Sequence, residues 1–330
     1  MRRFMVLITL SFVVCVAALS QTAAPEKQRW FKGNTHTHTL NSDGDSTPYD
    51  VVKWYREHGY NFVFITDHEY ITNVGVLNEL FGKAGSFVVI SGQEVTDRFD
   101  SKPLHINALG IDSVVMPNAL AGSVATLQKN IDDVRAKGGV PQLNHPNFGW
   151  ALTAAEIKQL KNITLVEIFN GHPLVNNLGG GGSPSAEQIW DDVLSSGRVM
   201  YGIADDDSHY FKRPGDKTAP LPGQAWVYVR ASELTPTAVL SALDRGDFYA
   251  STGVELEEYS ADGSGIALKI KEQRGSKYRI EFIGRGGRVF AESAQSPATY
   301  RFKGNELYVR AKVYESNGKL AWTQPIFVNR

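Results

Sequence analysis

The run Thr35-His36-Thr37-His38-Thr39, followed by Ser42-Asp43-Gly44, sets two imidazoles one residue apart and a carboxylate just beyond them. Side chains alternate along an extended segment, so His36 and His38 project to one side and suit two ligands of one metal. Imidazole is the commonest transition-metal ligand, and Asp43 adds a hard oxygen donor. The same residue types recur in Thr66-Asp67-His68, at Glu94 and His105, and in Asn144-His145-Pro146, Asn170-Gly171-His172 and Asp207-Ser208-His209. Seven of the eight histidines, all but His58, lie at or just past the end of an apolar run, or within a run that continues into a loop. His58 instead closes a helix beside Gly59, where a partly cationic side chain is favoured.

Such residues become neighbours only if the apolar runs are strands whose ends share a face. From Trp30 onward, short apolar runs alternate with longer amphipathic stretches, which predicts repeated βα units around a parallel sheet or barrel. The expected strands are 30–38, 61–65, 87–90, 104–109, 140–146, 164–170, 198–204 and 224–230. The expected helices start at the Thr47 cap and span 76–83, 124–137, 153–161, 185–196 and 235–245. In a parallel barrel the strand ends converge on one rim, where the site belongs. The glycine run 179–182 has no feeding strand and no following Lys-Ser/Thr, so it reads as a flexible loop or lid and not as a phosphate cradle. Beyond Gly253 the texture changes to short alternating runs between turns, which predicts a small all-β, sandwich-like domain; no histidine follows His209.

Composition is that of an ordinary globular chain: 330 residues, 42 % hydrophobic, 21 % charged. Lys plus Arg (34) balance Asp plus Glu (35), so no global field draws the protein to nucleic acid or anionic membrane. Residues 1–20 carry early arginines, an apolar run and Ala18-Leu19-Ser20 before Gln21, the pattern of a cleavable export signal and too short for a membrane anchor. A periplasmic or extracellular location is expected, with no stable membrane anchor after cleavage. The single cysteine, Cys15, lies inside that leader, so metals in the mature chain must be held by His, Asp and Glu. The expected organisation is a signal at 1–20, a linker at 21–29, the site-bearing domain at 30–253 and the β domain at 254–330.

The ordered motifs His36-x-His38-Thr, Ser42-Asp43-Gly44, Thr66-Asp67-His68, Glu94, His105, Asn144-His145-Pro146 and Asp207-x-His209 resemble the PHP (polymerase and histidinol phosphatase) superfamily over residues 31–253. Phe31-Lys32-Gly33-Asn34, Trp54-Tyr55 and Ala321-Trp322-Thr323-Gln324-Pro325 resemble its exported branch, which includes carbaryl hydrolase-like metallohydrolases. The resemblance implies a distorted seven-stranded β/α barrel holding three divalent ions. One ion is implied on His36, His38, Glu94 and Asp207, a second on bridging Glu94 with His105 and His145, and a third on Asp43, His68 and His209. Family members sometimes carry His at the Asp43 position, so the third site here is richer in carboxylate and suits manganese or iron over zinc. Asp67 is read as orienting an imidazole, Asp205 and Asp206 as supporting or loop-capping groups, and His172 as proton donor to a leaving group. Asn170, Arg98, Lys212 and Arg213 are candidate substrate contacts, and Phe148, Trp150, Tyr210 and Phe211 a candidate aromatic pocket. The expected chemistry is hydrolysis of a small-molecule ester by a hydroxide bridging two ions that share Glu94, with small phosphomonoesters or phosphodiesters as substrates. Two alternatives stand beside it: a carbamate or carboxylic ester hydrolase, and a non-catalytic exported metal- or glycan-binding module. Oligomeric state is not legible.

Overall fold

The computed structural model describes residues 28–328; the expected signal and nearly all of the 21–29 linker lie outside them. Strand β1 (Arg29–Asn34) leads through the histidine motif to helix α1 (Pro48–Glu57), which starts where the Thr47 side chain accepts the Asp50 N–H and Pro48 fills the first turn. Val51, Val52 and Tyr55 form its buried face. Strand β2 (Phe62–Ile65) is buried throughout, as a strand covered on both faces must be. Helix α2 (Val74–Phe81) and strand β3 (Val88–Phe99) follow.

Here the structure departs from uniform βα repetition. Only Asp100 and Ser101 separate β3 from β4 (Lys102–Leu109), too few residues for a crossover, so the two strands form an antiparallel hairpin. Strand β4 is also antiparallel to β5 (Val140–Leu143), reached through α3 (Ser123–Ala136). Parallel pairing resumes with β6 (Leu165–Asn170) and β7 (Tyr201–Asp205), joined by α4 (Ala154–Ile157) before β6 and α5 (Ala186–Ser195) after it. Helices α4 and α5 begin with capping boxes, Thr153 with Glu156 and Ser185 with Gln188. The strand order β1-β2-β3-β4-β5-β6-β7 is sequential. Its two edges meet at the site end, where Thr37 and Ser208 form a parallel bridge and His38 N–H donates to the Ser208 carbonyl at 2.9 Å.

On the other side of β1 the sheet continues antiparallel through β8 (Trp226–Ala231) and β9 (Phe248–Ser251), which are connected by α6 (Pro236–Arg245). The remaining strands are β10 (Leu256–Asp262), β11 (Gly265–Ile270), β12 (Tyr278–Gly284), β13 (Arg288–Ser293), β14 (Ala298–Arg301), β15 (Tyr308–Glu315), β16 (Leu320–Thr323) and β17 (Ile326–Phe327). Strand β16 pairs with β9, so one sheet runs on from the site-bearing strands into β16, β15, β12 and β13. Strands β10, β11 and β14 make a separate three-stranded sheet. Ile266 and Leu268 of β11, Ile280 and Phe282 of β12, and Val309 and Val313 of β15 share one buried apolar cluster between the two sheets. Among the described residues no helix is long and apolar enough to cross a membrane.

Candidate metal centre

The histidine motif reaches its position because β1 ends at Asn34 and the chain stays extended to the Thr37–Ser208 bridge, which leaves His36 and His38 on one side, both fully buried. Gly44 N–H donates to the Thr39 carbonyl, and a Cβ at Gly44 would stand 2.9 Å from the His38 carbonyl group, so the turn that carries Asp43 requires glycine. Glu94 lies within β3, and His68 follows β2 directly and bridges to it. His105 is not at a strand end: it lies early in β4, across from Thr96, and reaches the site because β4 runs backwards. His145 follows β5, and Asp207 and His209 follow β7. Asp207 adopts a left-handed φ of 47°, a conformation that Asp tolerates better than most residues.

Four overlapping sets of ligand atoms result, the atoms of each lying within 4.8 Å of one another: His36, His38, Glu94 and Asp207; Glu94, His105 and His145; His38, Asp43, His68 and His209; and, behind the first, His36, Glu167 and Asp205. Glu94 divides its two oxygens between the first two. Oε2 lies 3.0 Å from His36 Nε2 and 3.2 Å from His38 Nε2, whereas Oε1 lies 3.0 Å from His105 Nδ1 and 3.3 Å from His145 Nε2. Asp207 Oδ1 is 3.2 Å from both His36 Nε2 and His38 Nε2. Asp43 faces the third set, its Oδ1 3.4 Å from His209 Nε2 and its Oδ2 3.6 Å from His68 Nε2. His38 joins that set through Nδ1, 3.6 Å from Asp43, which the sequence reading did not include.

Partners behind the ligands fix which nitrogen faces inward. His36 Nδ1 bonds Glu167 Oε1 at 2.7 Å and His209 Nδ1 bonds the Asp207 carbonyl at 2.8 Å, which directs both Nε2 atoms into the cluster. His68 Nδ1 is held by Thr96 Oγ1. His38 Nε2 is buried, lies between two carboxylates and makes a hydrogen bond to neither. A nitrogen and oxygen donor set with such an orphaned imidazole nitrogen fits divalent cations.

The electrostatics agree. Burial pushes the Glu94 carboxyl up, but His36, His105 and His68 overcome that and hold it well below the usual carboxylate range. Burial likewise opposes ionisation of Asp207, and His36 and His38 reverse the effect. Burial works against a His36 cation, yet Asp207, Glu94 and Glu167 raise it well above its ordinary value. The pocket therefore attracts positive charge. Asp205 shows the opposite outcome, raised well above its ordinary value by burial and by neighbouring Glu167.

Several supporting roles differ from the sequence reading. Among the described residues no imidazole hydrogen-bonds Asp67; its carboxylate accepts from Thr39, Ser42 and Thr72 and reaches His38 only through Ser42. Asn170 is committed to Glu167 Oε2 and Asp207 Oδ2, so it holds carboxylates and does not face substrate. Arg98 lines the cavity, about 310 Å³ in volume, together with His172, Phe148, Pro103 and Val175. Lys212 instead packs on Asp45 and Arg213 on the Tyr210 ring, and Tyr210 and Phe211 line a neighbouring groove. His172 Nδ1 accepts the Leu174 N–H, which leaves the proton of a neutral ring on Nε2; burial lowers its pKa. Asp206 caps the N–H groups of Gly223, Gln224 and Ala225, and Asp205 accepts from Thr35 and Gln142. Glu167 had no assigned role, although a lone carboxylate in an otherwise uncharged strand run signalled it.

The fold and this cluster together define a mixed α/β protein with a His/carboxylate centre able to hold metals. One likeness over nearly the whole length is to a two-domain protein from Bacteroides vulgatus described as containing a predicted PHP-like metal-dependent phosphoesterase, with TM-score 0.51 and 16 % identity over 91 % of this chain and 96 % of that one. Shorter likenesses, each over 56 % of this chain at 16 % identity, are to a candidate metal-dependent phosphoesterase from Bifidobacterium adolescentis (TM-score 0.38, 91 % of that chain) and an amidohydrolase from Chromobacterium violaceum (TM-score 0.37, 89 % of that chain). No family model and no curated protein matches the sequence.

Proposed function

We propose that this chain is an exported metal-dependent hydrolase of PHP type that acts on small phosphomonoesters or phosphodiesters. In this reading β1–β7 form a distorted seven-stranded barrel, drawn together at the Thr37–Ser208 bridge, and the C-terminal strands form a small sandwich upon it. The observation that supports this reading is the division of Glu94, one oxygen facing each of two ligand sets, whose residues would hold cations on either side of that carboxylate. His36, His38, Asp207, His105 and His145 complete those sets, and Asp43, His68 and His209 offer a third position. Divalent cations there, manganese, iron or zinc, would acidify water for attack and offset charge on the phosphoryl and leaving oxygens. The chain's own residues would do the rest. Glu167, Asn170 and Thr96 hold the ligands in place, Arg98 would meet an anionic substrate group at the cavity wall, and His172 Nε2–H would stand beside the leaving group.

The test is a hydrolysis panel on metal-reconstituted protein: an aryl phosphomonoester, an aryl phosphodiester and an aryl methylcarbamate, each with Glu94→Ala as control. Phosphoester turnover that Glu94→Ala abolishes, together with loss of metal from two positions, supports the reading. Turnover of the carbamate alone, or a Glu94→Ala protein with full activity and metal content, overturns it.

A further inference from the structure

The loops that follow β5 and β6 on the site face, 145–152 and 171–185, contain no Asp, Glu, Lys or Arg. They are tied into one shelf: Asn147 Nδ2 donates to the carbonyls of Asn176 and Pro184 at 2.9 and 3.0 Å, and Asn176 Nδ2 donates back to the Asn147 carbonyl. A Cβ at Gly180 would lie 4.0 Å from the Trp150 indole, so the glycine run passes alongside that ring. The inner edge of the shelf, Phe148 and Val175, is wall of the metal cavity. Its outer surface carries Trp150, Leu174 and Leu178, exposed by 40, 66 and 86 %. A single exposed leucine is ordinary, but here three large apolar side chains are exposed on two joined loops that run on from a cavity wall. The cavity itself, about 310 Å³, is at the small end for ligand sites of about 300–1,000 Å³. A cavity of that size would admit a small anionic head and leave the remainder of a longer molecule outside.

We propose that this shelf seats the hydrocarbon chain of an amphiphilic phosphoester whose anionic head occupies the metal cavity. The inference rests on the phosphoester reading above. Arg98, whose guanidinium has no carboxylate partner among the described residues, lines the cavity, and the two loops themselves carry no charged side chain, although Lys217 and Lys319 line a groove together with Leu178. Such a surface favours an apolar chain that begins at the head and runs outward past Phe148 and Val175.

Ethyl and octyl phosphate, both below the micellar concentration, test it on manganese-reconstituted protein. Partial burial of each methylene corresponds to about twofold in kcat/KM, so octyl phosphate should exceed ethyl phosphate by at least about tenfold. Leu174→Asn/Leu178→Asn, both at exposed positions, should collapse that ratio several-fold. Equal rates for the two esters, or a ratio unchanged by the double substitution, overturn the proposal. Binding gives a readout that needs no turnover: octylphosphonate, but not ethylphosphonate, should shift tryptophan emission to the blue, and Trp150→Phe should remove the shift. If neither ester is hydrolysed, the phosphoester reading fails while the octylphosphonate shift still decides the shelf, and its absence overturns the shelf as well. A dimer in sedimentation that the double substitution dissociates would assign the shelf to a second copy of the chain and likewise overturn the proposal.

Discussion

At the scale of single residues, the cluster depends on groups that stand behind its histidines. Glu167 uses both oxygens as acceptors, Oε1 for His36 Nδ1 and Gln142 Nε2, Oε2 for the His145 N–H and Asn170 Nδ2. A glutamine there must turn its amide donors towards groups that themselves donate. Glu167→Gln is therefore expected to cost about 1–3 kcal/mol of stability through unmatched buried groups and to weaken metal binding roughly 10–100-fold. Metal content after dialysis and a thermal melt check both, and unchanged values would remove Glu167 from the centre. The convergence of the clustered histidines and Glu94 was legible in the sequence because several sat in short motifs at strand ends, where few other roles need two imidazoles and an acid together. Glu167 has no such motif, and its partners come from the segment after β1, from β5, from the segment after β5 and from the end of β6. Asp67 and Asn170 were assigned by adjacency to a histidine or a rim, which does not fix where a carboxylate or amide points.

Among the elements, α5 shows how the C-terminal strands are fastened to the site-bearing part. Glu187 and Asp191, one turn apart, receive Arg310 of β15. The guanidinium bonds Asp191 through Nε at 2.9 Å and Nη2 at 2.7 Å and Glu187 at 2.8 Å, and Tyr308 OH donates to Asp191 at 2.9 Å. Arg310 is fully buried over the Trp190 ring. Arg310→Leu leaves the buried Asp191 carboxylate without its cation, while Glu187 keeps Lys312, and is expected to cost about 3–5 kcal/mol, read as a fall in the urea midpoint. Burial pushes the Glu187 carboxyl up, but Arg310 and Lys312 overcome that and hold it below its ordinary value. A depressed folded-state value contributes stability that is present above the unfolded value, about 4.3, and is lost as pH falls through the folded one. Melting temperature should therefore drop less between about pH 5 and pH 3 in Glu187→Gln than in the parent protein; parallel curves would show that Glu187 adds nothing. The starts of α1, α4, α5 and α6 followed from the caps Thr47, Thr153, Ser185 and Thr235, which are local, whereas α4 stops at Ile157, short of the expected Lys161. The reversal at β4 was not legible, because an apolar run carries no direction and the two-residue turn after β3 contains neither glycine nor proline.

For the whole molecule, the continuity of the sheet sets the expectation for unfolding. Strand β16 pairs with β9, and Gln324, just beyond it, receives the Gly202 N–H and donates to the Gly202 carbonyl within β7, the strand that leads to Asp207. The change in texture after Gly253 marks a change of pattern, and the hydrogen-bonded ladder runs straight through it. A divalent cation that binds only the folded cluster adds about 2.7 kcal/mol per site at a hundredfold excess over Kd. If the two parts unfold together, calorimetry should show one transition that manganese moves upward by several degrees and EDTA moves back, with β12 and β15 melting in step with the strands that hold the ligands. Two transitions, only the first of them responsive to manganese, would mean that the β9–β16 ladder and the Gln324 contact are too weak to couple the parts. Gln324→Ala tests the link directly: it leaves the buried N–H and carbonyl of Gly202 without their partner, costs about 1–3 kcal/mol, and should broaden or split a transition that was single.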